Sequence, residues 1–132
     1  MTLSLIVGVL TGAIGAGMSV LYAALGEVIS ERAGVINLGV EGTMLMGASV
    51  GFAVTLQTGD PFLGLLAAAL VGGLFNMVLA FLVVTRRANQ LAAGLALGFF
   101  GIGLSAFIGR PYVGKLIDKL PVMPVPVLSE LP

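Results

Sequence analysis

The sequence contains no cysteine, no histidine and no tryptophan. The first two absences remove disulfides, thiol chemistry, zinc sites built on Cys and His, and the commonest general base. Charge is almost as scarce, since Asp, Glu, Lys and Arg make up 9% of the 132 residues, against about 25% in soluble domains. Six basic and six acidic groups cancel, so no basic field exists to hold a nucleic acid and no nucleic-acid partner is expected. No cofactor and no metal is expected either. What fills the chain is apolar: 58% hydrophobic residues together with 20 glycines. A soluble monomer of this size could not hide that surface, so membrane lipid is the expected surrounding.

The twelve charges fall in clusters that leave residues 1–26, 42–59, 61–85 and 88–109 uncharged. A helix rises about 1.5 Å per residue, and the hydrocarbon core is about 30 Å thick, so each stretch can cross or nearly cross it. The second is the weakest, being the shortest and ending in Thr55, Gln57 and Thr58. A cleaved signal peptide fits the first stretch poorly, because no Lys or Arg precedes it and the apolar run is too long. A β-barrel is excluded by the lack of polar and apolar alternation. The expected fold is all-α, a polytopic transmembrane bundle of about four membrane helices. The spans are placed near residues 3–25, 38–57, 61–85 and 89–109, with a break near Gly34–Asn37. Five of the six prolines lie at or beyond Pro111, so residues 110–132 are expected to form an extended, Pro-rich extramembrane loop without helix.

Arg86 and Arg87, with no acidic neighbour, are the expected topology anchors and place their loop on the cytoplasmic side. Three glycine pairs stand four residues apart, Gly8 with Gly12, Gly47 with Gly51 and Gly94 with Gly98, a spacing that lets helix backbones approach in lipid.

Residues 26–42 carry four of the twelve charges. Glu27 and Glu31 share a helical face, where like charges repel, and Arg32 is placed to screen them. Gly34 suits a left-handed helix end, and Asn37 an N-cap for a new helix whose first turn holds Glu41. The spacing therefore predicts a broken helix. At membrane depth such a break lines a cavity or is buried in protein; an ordinary cytoplasmic loop is the other reading of the same spacing. Glu41 abuts the apolar run that follows it, which ranks it above Glu27 as a functional group.

Residues 109–115 match phosphate-loop spacing through Lys115, but Leu116 stands where a hydroxyl must hold magnesium and Pro111 interrupts the amide cradle, so nucleotide binding is rejected. An intramembrane enzyme would have to rely on Glu41, Ser49 or Ser105, none of which has a matching base in the sequence.

Residues 25–48 (LGEVISERAGVINLGVEGTMLMGA) closely resemble the signature near the start of bacterial ABC transporter permeases of the simple-sugar and nucleoside uptake group, relatives of the ribose and branched-chain amino acid permeases. Residues 81–97 and 103–115 resemble that group as well, so the likeness covers nearly the whole chain in order. It implies a multi-pass subunit of the plasma (bacterial inner) membrane that is not itself an enzyme. Its implied partners are a second permease subunit, separate ABC ATPase subunits and an external substrate-binding protein or lipoprotein. Permeases of this group are longer, which makes this chain an expected N-terminal portion; a truncated or accessory membrane protein that packs with a transporter is the alternative. The resemblance points to the signature residues Gly26, Glu27, Glu31, Arg32, Gly34, Gly39 and Gly42 as shaping the substrate path. Asn37 and Glu41 are its first polar candidates, and Asn76 and Gln90 its second.

Overall fold

The computed structural model describes residues 2–117, with side chains from residue 4. Four helices follow one another: α1 (Thr2–Arg32), α2 (Val40–Thr58), α3 (Pro61–Ala80) and α4 (Gln90–Gly109). No strand occurs among the described residues, as the all-α reading expects. The Pro-rich segment from residue 118 onward lies outside them.

The helix ends follow from local chemistry. Asp60 caps α3 by accepting the Phe62 amide at 2.8 Å, with Pro61 in the first turn, where no amide hydrogen is needed. Asn89 caps α4 by accepting the Ala92 amide at 3.1 Å. Gly59, at φ 73°, closes α2 in the left-handed conformation. The last turn of the third span widens to a π-helix over Phe81–Thr85, where the Arg86 amide donates to the Phe81 carbonyl at 3.0 Å. Arg87 then reverses the chain at φ 52°.

Three bounds differ from the sequence expectation. The first helix continues to Arg32 rather than residue 25, because the charged residues past the apolar run complete its last two turns. The second begins at Val40, with Gly39 as its N-cap, and not after Asn37; the Asn37 side chain is used within the loop instead. A single 3-10 turn, Arg110–Tyr112, extends α4 into the stretch expected to lack helix, with Pro111 at its start, where it removes no hydrogen bond.

The segments Ser4–Arg32, Pro61–Thr85 and Gln90–Tyr112 are long and apolar enough to cross a membrane. The second helix falls short of that measure, and its position explains why. It packs along both α3 and α4, so part of its surface is taken up by protein, and small residues such as Gly42, Gly47 and Ala53 lie on its contact faces beside Met46. Burial is inverted relative to a soluble protein. Phe107 is 76% exposed and Ile29 71%, whereas Asn37 is 7% exposed. The exposed apolar side chains are the lipid-facing surface of a bundle.

Close backbone approach holds α2 against its neighbours. A Cβ added at Gly42 would lie 2.7 Å from the Gly98 Cα, and one at Gly101 would lie 2.7 Å from the Gly42 carbonyl oxygen. On the other side of α2, Gly51 meets Gly64 and Ala68. Two of the three expected glycine pairs therefore serve helix packing, and Gly42, Gly64 and Gly101 complete the seam. The third pair, Gly8 and Gly12, has nothing within 4 Å of an added Cβ. Phe75 and Phe100 add a stacked contact between α3 and α4, with centroids 6.1 Å apart. Ser49 donates across α2 and α4 to the Ser105 carbonyl at 3.3 Å.

Gly42→Ala and Gly101→Ala should each lower stability by about 1–3 kcal/mol through overpacking. Gly103→Ala, which meets nothing within 4 Å, should be neutral or slightly stabilising. Thermal unfolding of the detergent-solubilised protein, followed by circular dichroism, checks the contrast.

Candidate functional site

Among the described residues, the connection between α1 and α2 is the place where polar side chains from three helices converge on irregular backbone. The first helix ends as the sequence predicts, with Gly34 left-handed at φ 83°. The Val35 amide donates to the Ser30 carbonyl at 3.0 Å and the Gly34 amide to the Glu31 carbonyl at 2.9 Å, the paired bonds of a Schellman motif.

The backbone amides of Ile36, Asn37 and Gly39 turn to side chains. The Ile36 amide donates to Gln90 Oε1 at 2.9 Å, and Gln90 Nε2 donates back to the Gly34 carbonyl at 3.1 Å, so one amide from the start of α4 clasps the loop on two sides. The Asn37 amide donates to Glu27 Oε1 on α1 at 2.8 Å. The Asn37 side chain donates through Nδ2 to Asn76 Oδ1 on α3 at 2.9 Å and accepts the Gly39 amide at 2.9 Å. Asn76 is itself anchored, its Nδ2 donating to the Gly72 carbonyl at 2.9 Å. The Thr43 hydroxyl donates to the Gly39 carbonyl at 3.1 Å.

The loop spans a range of levels in the bundle: Gln90, which holds the Gly34 carbonyl and the Ile36 amide, opens α4 three residues after Arg87, whereas Asn76 stands ten residues before Arg86, roughly 15 Å along the helix. The Ile36, Asn37 and Gly39 amides are satisfied by side chains. The loop also presses on α4: a Cβ at Gly39 would lie 2.8 Å from the Gly94 carbonyl oxygen, and one at Gly94 would lie 2.9 Å from the Leu38 amide nitrogen.

Of the residues named from sequence, Asn37, Asn76, Gln90, Glu27, Gly34 and Gly39 meet here, and Gly42 lies on the adjoining seam. Asn37 does not cap α2 as expected; it bonds the Gly39 amide two residues on, and so tightens the loop and delays the helix. Glu41 stands in the first turn of α2 but is exposed and makes no hydrogen bond among the described residues. Arg32 is exposed and forms no ion pair with Glu27 or Glu31 among them, so the expected screening contact is not made. Gly26 meets nothing within 4 Å. Arg86 and Arg87 are exposed in the turn that leads to Gln90, at the same end of the bundle as the break. What sequence reasoning missed is Glu27 as a direct acceptor for the loop; its distance from Asn37, ten residues across a helix end, has no periodic signature.

The two other chemistries weighed from sequence have no geometry here. The Ser49 and Ser105 hydroxyls both donate to backbone carbonyls, at 3.3 and 2.8 Å. The phosphate-loop lookalike closes a helix with a 3-10 turn rather than following a strand and opening one.

Three helices long and apolar enough to cross a membrane, with a polar break held between them, make this an all-α membrane bundle. The chain belongs to the family described as the permease component of the branched-chain amino acid transport system, whose model matches residues 9–115. It is 42% identical over 97% of its length to a protein of Haloferax volcanii named as a glucose ABC transporter permease, of which it covers 39%. It is 37% identical over 83% of its length to the guanosine ABC transporter permease of Bacillus subtilis, covering 38% of that protein. With the nucleoside ABC transporter permease of Lactococcus lactis it shares 30% identity over 85% of its length, again covering 38% of the relative. The chain thus spans about two fifths of the length of the curated relatives it matches. No solved structure matches significantly. The family resemblance read from residues 25–48, 81–97 and 103–115 is thus shown, and the relatives named above are glucose, guanosine and nucleoside permeases.

Asn37→Ala removes a donor and an acceptor from a part-buried network and takes the partner from Asn76 Oδ1, which should destabilise the bundle by about 1–2 kcal/mol. Glu41→Gln should change stability by less than about 0.5 kcal/mol. Chemical or thermal unfolding in detergent distinguishes the two.

Proposed function

We propose that this chain is the N-terminal portion of the membrane-spanning subunit of an ATP-driven importer for a nucleoside or simple sugar. In this reading it works with a second permease subunit, two separate ATPase subunits and an external substrate-binding protein. The observation that carries the reading is the polar break at membrane depth, in a chain whose named relatives are glucose, guanosine and nucleoside permeases. A break of this kind gives a polar solute hydrogen-bonding groups inside an apolar barrier, with the surrounding helices holding those groups in place.

Asn37, Asn76 and Gln90 hold the shape of the path. Glu27, which is bonded to the break, takes the role that the sequence reading gave to Glu41. Arg86 and Arg87 anchor the turn beside it on the cytoplasmic side. Hydrolysis of ATP belongs to a partner polypeptide, and Gly109 to Lys115 contribute only the end of a helix.

The test is uptake of radiolabelled guanosine and glucose by proteoliposomes that hold the full-length permease with its co-expressed partners and internal ATP. ATP-dependent accumulation of either probe is the expected result, with Glu27→Gln reducing it more than Glu41→Gln. An assembled complex that hydrolyses ATP but accumulates neither probe would instead identify the chain as an accessory membrane protein.

A further inference from the structure

Beside the break, on the side facing α1, lies an open pocket of about 480 Å³, within the range of small-molecule sites. Val20, Ala24, Leu38 and Val40 give it apolar walls, Glu27 and Glu31 are its acidic members, and no basic residue lines it. Glu27 has one carboxylate oxygen committed to the Asn37 amide at 2.8 Å. Its other oxygen, Oε2, is buried and has no hydrogen-bond partner among the described residues.

A buried carboxylate oxygen without a donor is costly, and among the described residues Glu27 Oε2 is the one buried side-chain polar atom left without a partner. We infer that this pocket is a substrate subsite and that Glu27 is its specificity-determining residue, with Oε2 accepting a hydroxyl of a neutral, sugar-bearing ligand. The inference rests on the transport reading above and adds the place and the acceptor.

The chemistry follows from the lining. The apolar walls suit the carbon face of a pyranose or ribose ring, and the carboxylate suits a hydroxyl on its edge. Two glutamates with no lining cation repel a ligand carboxylate or phosphate, so an amino acid is disfavoured despite the family's description. Free sugars and nucleosides share the hydroxyl-bearing ring, and either source fits the same acceptor. Asn37 joins the two halves of the arrangement: its backbone amide orients the Glu27 carboxylate, and its side chain ties the loop to Asn76, so the acceptor is held by the bundle and not by α1 alone.

The sequence has no cysteine, so Ala24→Cys places a thiol reporter on the pocket wall of the full-length permease, assembled with its partners in proteoliposomes. Labelling of that thiol by a water-soluble maleimide, corrected for the unsubstituted protein, should slow at least about fivefold during turnover with guanosine or glucose. Leucine should not slow it. Adding Glu27→Gln, which keeps an oxygen for the Asn37 amide, should abolish the protection while leaving the unprotected labelling rate unchanged. Should that double variant fail to assemble, Ala24→Phe decides: filling the pocket should reduce uptake of the transported probe at least tenfold in an assembled complex. Uptake without protection of the thiol, equal protection by leucine, or full uptake with Ala24→Phe overturns the subsite while leaving the transport reading intact. Uptake of neither probe by the unsubstituted complex overturns the transport reading itself.

Discussion

Irregular backbone inside a bilayer must find all its hydrogen bonds within the protein, and the structure is organised around meeting that demand at one place. Between Gly34 and Val40 the chain leaves one helix and starts another, and the amides of Ile36, Asn37 and Gly39 have no helical acceptor. Gln90, Glu27 and the Asn37 side chain supply them. Glu27 and Gln90 reach in from α1 and α4, and the Asn37 side chain turns back on its own loop. In hydrocarbon the alternative is an unsatisfied polar group costing several kcal/mol, so these bonds tie the loop to α1 and α4.

The glycine seam is the mechanical counterpart. Lipid supplies little drive for helices to associate, and close van der Waals contact has to substitute for it. The backbone of α2 and the loop before it therefore lie directly on α4, through Gly39, Gly42, Gly94, Gly98 and Gly101. No side chain intervenes, which keeps the loop within reach of Gln90. By contrast α1 carries no buried residue in its described part and is joined to the rest chiefly through Glu27. The two sides of the break thus differ in stiffness, and the pocket lies along the looser one.

Much of this was legible in the sequence because it depends on local chemistry. Charge-free runs marked the helices, Gly34 marked the left-handed end of α1, and the 26–42 segment stood out by its density of charge. The weaker apolar character of α2 was visible too, although its cause, enclosure by two neighbouring helices, was not. What could not be read were bonds between residues far apart in the chain. Asn37 meets Asn76 across 39 positions, and Ile36 meets Gln90 across 54; no periodicity encodes such a register. The ranking of Glu41 over Glu27 rested on the apolar run after it, whereas the turn of the helix start leaves Glu41 exposed and brings the loop amide to Glu27.

The order in which the loop's partners on α1, α3 and α4 are synthesised has a consequence for how the protein is made. Glu27 emerges from the ribosome before the break, Asn76 after it and Gln90 later still. Until α4 has entered the membrane, the Ile36 amide and the Gly34 carbonyl have no partner, and the connection can only be a water-exposed or fluctuating link between two inserted helices. The polar interior is therefore assembled last, by lateral association of helices already in the bilayer. A nascent chain halted before residue 90 would hold the signature sequence without the site.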